Sequence, residues 1–258
     1  MFAVGFLRQK AEGINEMEQQ KRKREPVFGR AALQMIAVLT MVCDHFACVF
    51  LQPWDSILPF GENINSIIYE GFRVVGRLSF PIFCFLLVQG FMMTQNLKKY
   101  MLRLFVFALL SEIPYDLAFS GVLFDWKSQN VMFTLFLGLL LLAQLKRFEA
   151  NWTVEGIIIL AGCILAFFLQ TDYSYFGILL IVVMYLLRNN WPQQMFWLAL
   201  LIFSQGDIEI YAVFALPFCY FYQKNKEGKR FPRYFFYAFY PIHLLVLWII
   251  HCCLLTVP

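Results

Sequence analysis

The chain has 258 residues, of which 60% are hydrophobic and 15% charged, with thirty phenylalanines. A soluble domain of this length has too little interior to hide so much apolar surface, and several apolar runs reach the 17–25 residues that span hydrocarbon. The net charge of +4 is mild and gives no reason to expect a nucleic-acid partner. The composition predicts an all-α polytopic membrane protein. A transmembrane barrel is excluded, because its short alternating segments are absent.

Residues 1–29 end in Lys21-Arg22-Lys23-Arg24-Glu25-Pro26 and read as a basic cytoplasmic arm, with residues 30–258 forming the transmembrane domain. The basic run places the N-terminus inside. No small-residue cleavage site follows the first span, so that span is expected to stay in the mature protein. Span 1, about 31–52, leads outward and contains LQMIAVLTMVCDHFACVFL from Leu33 to Leu51. Asp44 and His45 lie well inside it. A carboxylate at the centre of a span costs roughly 2.5–3.5 kcal/mol on insertion scales, so an ionisable residue there is a functional-site hypothesis by default. The two are consecutive and point about 100° apart on a helix, so Asp44 is not expected to orient the His45 ring.

The loop from Pro53 to Gly76 is expected to hold a short interfacial helix in INSIIYEGFRVV. Span 2, about 78–95, follows Gly76-Arg77 and carries Pro81 in its first turn, where proline is tolerated. Lys98, Lys99 and Arg103 mark the inside. Span 3, about 102–120, contains Glu112-Ile113-Pro114-Tyr115-Asp116. Two carboxylates four apart share one helix face and need a positive partner, for which Arg77 is the available residue. Span 4, about 131–145, opens at Asn130 and Thr134 and ends at Lys146-Arg147.

Spans 5 to 9 are expected at about 154–170, 175–187, 192–204, 208–223 and 234–254, with His243 near the middle of the last. That gives about nine spans, eight to ten at the limits, with every Lys/Arg cluster on one side and the C-terminus outside. Asp172, Asp207 and Glu209 read as interfacial caps at span ends, and His251 as an ordinary interfacial residue. The cysteines Cys43, Cys48, Cys84, Cys163, Cys219, Cys252 and Cys253 show no zinc spacing and read as small buried hydrophobes. A metal site from His45, Asp116 and His243 lacks any supporting motif, so no metal is expected.

At these residues the chain resembles the TraX family. The matching pieces are Ile36-Ala37 with Met41 and Asp44-His45; Gly76-Arg77-Leu78-Ser79-Phe80-Pro81-Ile82-Phe83 with Gly90-Phe91; and Asn96 to Tyr100 with Arg103-Leu104. They continue through Ser111-Glu112-Ile113-Pro114-Tyr115-Asp116, Gln129-Asn130-Val131 with Thr134-Leu135, Asp172-Tyr173 with Tyr175-Phe176-Gly177, and Tyr240-Pro241-Ile242-His243-Leu244. The resemblance implies a membrane acetyltransferase related to the wider transmembrane acyltransferases. Its donor would be cytosolic acetyl-CoA and its acceptor an extracytoplasmic pilin-like peptide, glycan or lipid, in the bacterial cytoplasmic membrane. The polysaccharide acetylases of that wider group carry an arginine about ten residues before the histidine. Here Gln34 and Met35 stand in that region, so the donor contacts do not carry over.

On this reading His45 acts as general base or carries the acetyl group. Arg77 and Asn130 stabilise the oxyanion, Glu112 or Asp116 orients His45 or His243, and Lys98, Lys99 and Arg103 meet the phosphates of CoA. The rival reading is a proton- or ion-coupled transporter using the same Asp, Glu and His residues as a relay.

Overall fold

The structure is a computed structural model that describes residues 28–52, 57–149, 151–223, 231–232 and 234–255. The basic arm up to residue 27 and most of the basic loop from Lys224 to Arg233 lie outside the described residues. Among the described residues the chain is all-helical. Its β-type contacts are two isolated bridges, Phe28 with Tyr222 and Gln129 with Thr171.

Helix α1 covers Arg30–Phe50, α2 Glu62–Gly76, α3 Ser79–Met93, α4 Leu97–Phe119 and α5 Val131–Arg147. Then come α6 Trp152–Phe168, α7 Ser174–Leu186, α8 Trp191–Phe203, a 3-10 segment Asp207–Ala215, α9 Leu216–Tyr220 and α10 Phe235–Leu255. Asparagine starts four of these helices. The side chains of Asn96, Asn130, Asn151 and Asn190 accept the backbone N–H of Lys99, Met132, Val154 and Gln193, each satisfying one of the donors a helix N-terminus leaves open.

Among the described residues three stretches are long and apolar enough to cross a membrane: Arg30–Phe50, Glu62–Met93 and Phe235–Leu254. The middle one comprises α2 and α3, separated by a two-residue turn at Arg77-Leu78. The expected span over about 208–223 is not a continuous α-helix. Pro217 has no N–H to give the Val213 carbonyl, which instead accepts from Leu216 three residues on. The segment before it therefore winds as 3-10.

Helix α3 is the centre of the molecule. Phe80, Ile82, Cys84, Phe85, Leu87 and Val88 are all buried, and α1, α5, α7, the 3-10 segment and α9 pack around it. Helix α10 lies against α4 and α1. The periphery is apolar: Ile157, Leu160, Ile164 and Phe168 form one exposed face of α6, and Ile242, Val246, Ile249 and Ile250 are exposed on α10. Polar groups gather where the C-terminal ends of α1, α2 and α4 meet the N-terminal ends of α3, α5 and α7.

Candidate functional site

Asp44 is clamped by two arginines from the end of α2. Arg77 Nη2 donates to Asp44 Oδ1 at 2.6 Å, and Arg73 Nη1 donates to Asp44 Oδ2 at 2.8 Å. Positions 73 and 77 are four apart and so face the same way. Arg77 Nη1 also donates to Glu209 Oε1 of the 3-10 segment at 2.5 Å. Arg77 is only 5% exposed and Asp44 9%. Close approach makes this geometry: a Cβ at Gly76 would stand 2.4 Å from Asp44, so glycine is the residue that lets α2 reach α1 here. Arg73 Nη1 lies 2.8 Å from Cys48 Sγ as well.

His45 faces a different neighbour. Its Nδ1 is 2.7 Å from Nε2 of His243 on α10, with the ring planes 8° apart. His243 Nδ1 is 2.8 Å from the Phe239 carbonyl. A carbonyl only accepts, so the proton sits on His243 Nδ1 and its Nε2 carries a lone pair in the neutral ring. That lone pair accepts the proton on His45 Nδ1. The chain of bonds assigns the His45 tautomer and leaves its Nε2 as the free basic nitrogen. Phe119 and Tyr240 meet the His45 ring edge-on at 5.3 and 6.0 Å between centroids.

A cavity of about 290 Å³ opens on this arrangement, lined by Asp44, His45, Arg73, Arg77, Tyr115 and Asp172 among others. It joins a basic nitrogen to a fixed array of guanidinium and carboxylate groups.

Several expectations are corrected. Arg77 pairs with Asp44 and Glu209, not with Glu112 or Asp116. Glu112 Oε2 accepts from the Asn130 side-chain amide, which also donates to the Ala108 carbonyl at 2.9 Å. Asp116 Oδ2 accepts the Asp125 backbone N–H at 3.0 Å. These two carboxylates pin the 120–130 loop and the start of α5; they orient neither His45 nor His243, whose ring nitrogens meet each other and the Phe239 carbonyl. Asn130 is buried, engaged with Glu112, Ala108 and Met132, and outside the cavity wall. In the same loop the Lys127 N–H and the Ser120 hydroxyl hold the Asp125 carboxyl below its usual range.

Lys98 and Lys99 are exposed at the start of α4, and Arg103 lies one turn further on. They sit at the opposite end of the bundle. Twelve residues separate Arg103 from Tyr115, about 18 Å along the helix. Among the described residues no group of three or more His, Cys, Asp or Glu side chains is placed to hold a metal ion. His251 packs edge-on against Phe50 at 5.8 Å, away from the cavity.

Three residues of this arrangement escape a linear reading. Glu209 and Asp172 read as caps, yet one neutralises Arg77 and the other lines the cavity. Arg73 carried a usable signal, four residues before Arg77 on an amphipathic stretch. Glu209 carried none, since its partner is 132 residues away.

A family model described as "TraX protein" matches residues 29–251. A curated relative from Dichelobacter nodosus, "Probable fimbrial assembly protein FimC, serogroup H1", is 32% identical over 249 residues, covering 85% of this chain and 94% of the relative. No solved structure matches.

Proposed function

The chain belongs to the TraX family, and from that premise we propose that it is an integral-membrane acetyltransferase. The acetyl group passes from cytosolic acetyl-CoA to an extracytoplasmic acceptor. The relative's name ties it to fimbrial assembly, which favours a pilin-like peptide acceptor over a glycan or lipid. The observation that carries the reading is His45, held in one tautomer by His243 and Phe239, with no hydrogen bond to its Nε2 among the described residues, and lining a cavity together with Arg77. A fixed, neutral imidazole takes a proton from an attacking nucleophile, and a guanidinium held by two carboxylates is a preorganised positive charge for the developing oxyanion.

In this reading the chain crosses the bacterial cytoplasmic membrane about nine times, N-terminus inside and C-terminus outside, with α2 lying along the outer surface. Lys98, Lys99, Arg103, Lys146, Arg147 and Arg188 then share the inner face. The outer arginines Arg73 and Arg77 are those neutralised by Asp44 and Glu209. Lys98, Lys99 and Arg103 stand at the mouth where the phosphates of CoA arrive.

The test is direct. Purified protein in detergent should bind CoA and slowly deacetylate acetyl-CoA, and His45→Ala should lose the deacetylation while still binding CoA. Absence of CoA binding by the intact protein would overturn the proposal.

A further inference from the structure

A second cavity, of about 420 Å³, adjoins the one that contains His45. Its wall includes Lys127, Ser128, Phe167, Phe168, Gln170 and Ser174. Asp172 and Tyr173 line both cavities. The partition between them is thus a single turn, the link from α6 to α7.

That turn is strained and firmly held. Gln170, Tyr173 and Ser174 adopt φ of 50°, 59° and 42°, a left-handed conformation that non-glycine residues keep only when their surroundings impose it. The surroundings are visible. Gln129 N–H donates to the Gln170 carbonyl and Asp172 N–H to the Gln129 carbonyl, both at 2.9 Å. The Thr134 hydroxyl donates to the Asp172 carbonyl. The Tyr173 ring stacks on Phe80, centroids 3.7 Å apart and planes 3° apart.

The turn places Asp172 in the lining of both cavities. Asp172 Oδ1 accepts the neighbouring Tyr173 N–H at 3.1 Å, while its other oxygen takes no hydrogen bond among the described residues. Arg77 is already engaged by Asp44 and Glu209. Three carboxylates, Asp44, Glu209 and Asp172, therefore face two guanidiniums, Arg73 and Arg77. Neither guanidinium is left over to pair with Asp172.

We propose that the outer cavity is the acceptor subsite, and that Asp172 receives the acceptor's reacting group there and presents it to His45. This rests on the acetyltransferase reading. A carboxylate with no ion pair among the described residues fits an acceptor that arrives as a cation, a primary ammonium on the end of a polar chain. Asp172 takes one proton from the ammonium, leaving a neutral amine. The amine nitrogen attacks the thioester carbonyl, forming a C–N bond as the C–S bond breaks. The second nitrogen proton passes to His45 Nε2 and on to the departing thiolate, while the proton on Asp172 returns to water. Burial, opposed by Arg77, pushes the Asp172 carboxyl up to about 6, so it takes and releases a proton near neutral pH.

The experiment has two arms. In the first, Asp172→Asn in the full chain should raise KM for a short peptide with a free α-amine at least tenfold, with CoA affinity within about twofold of wild type. An unchanged peptide KM overturns the role of Asp172, and so does a fall in kcat alone. In the second, Lys127→Cys is labelled with a membrane-impermeant maleimide. The free-amine peptide should slow labelling at least fivefold, and its N-acetylated form should not. No protection overturns the subsite; equal protection by both peptides overturns the ammonium preference. The second arm needs no turnover. A chain that fails to bind CoA but is protected by the amine peptide would sink the acetyltransferase reading and leave the cavity a peptide subsite.

Discussion

At the scale of single residues, the site turns on which nitrogen of His45 is free. The bond chain from Phe239 through His243 makes the answer Nε2, and it makes His243 a positioning residue. Replacing His45 with alanine should cost about 10²–10⁴-fold in turnover, the usual range for loss of a general base. A variant retaining more than a tenth of wild-type rate would remove His45 from the chemistry. His243→Ala should also lower turnover, on the order of 10²-fold, with CoA affinity unchanged, because His45 then loses the acceptor that fixes its tautomer. Arg77 makes a different prediction. Its removal leaves buried Asp44 with Arg73 alone and the half-buried Glu209 without this ion pair, and breaking a buried pair costs at most about 3–5 kcal/mol. Arg77→Ala should therefore lower the thermal midpoint in detergent as well as activity, and an unchanged midpoint would contradict the pairing.

At the scale of elements, the junction of α2 and α3 decides whether the clamp on Asp44 closes. Gly76→Ala places a methyl 2.4 Å from Asp44 Cβ and Oδ1, and the Cβ moves only with the backbone of α1. The variant should separate α2 from α1 and weaken the Arg73 and Arg77 bonds together, seen as faster proteolysis at residues 57–76 and reduced turnover. This scale also shows what the linear order conveyed. Apolar run lengths and cluster positions placed α1, α3 to α8 and α10 within a few residues, and INSIIYEGFRVV was legible as a short amphipathic helix. The charges of the site were half legible. Asp44, His45, Arg77 and His243 stand out because each is polar among apolar neighbours. Their partners were not, since pairing depends on which helix ends meet. Glu112 and Asp116 share a face as expected, but that face turns toward Asn130 and the 120–130 loop rather than toward Arg77.

At the scale of the whole molecule, the arrangement is polarised. Lys98, Lys99, Arg103, Lys146, Arg147 and Arg188 lie at one end of the bundle, and the histidine pair with its ion-pair network at the other. If the chain threads a bilayer as proposed, cysteines introduced at Lys98 and Arg188 label from the cytosolic face and one at Lys127 from the opposite face. Labelling of Lys98 and Lys127 from the same side would break that topology. In sealed vesicles, acetylation should need acetyl-CoA on the cytosolic side and acceptor on the other.

The 3-10 segment carries a consequence of pitch. With three residues per turn, Glu209, Ala212 and Ala215 stack in one row. The two alanines of that row are buried, and the glutamate at its end reaches Arg77. Rewound as an α-helix, the same residues would advance 100° per step instead of 120°, and six steps from Ala215 would carry Glu209 about 120° off its row. The ion pair is therefore tuned to a winding number rather than to a composition. Point changes that keep the side chains small at 212 and 215 should be absorbed. Deleting one residue between Ile210 and Phe214 would turn Glu209 by about a third of a revolution and leave Arg77 with Asp44 alone. Such a deletion should match Glu209→Gln in thermal stability and activity, although it leaves every charged residue in place.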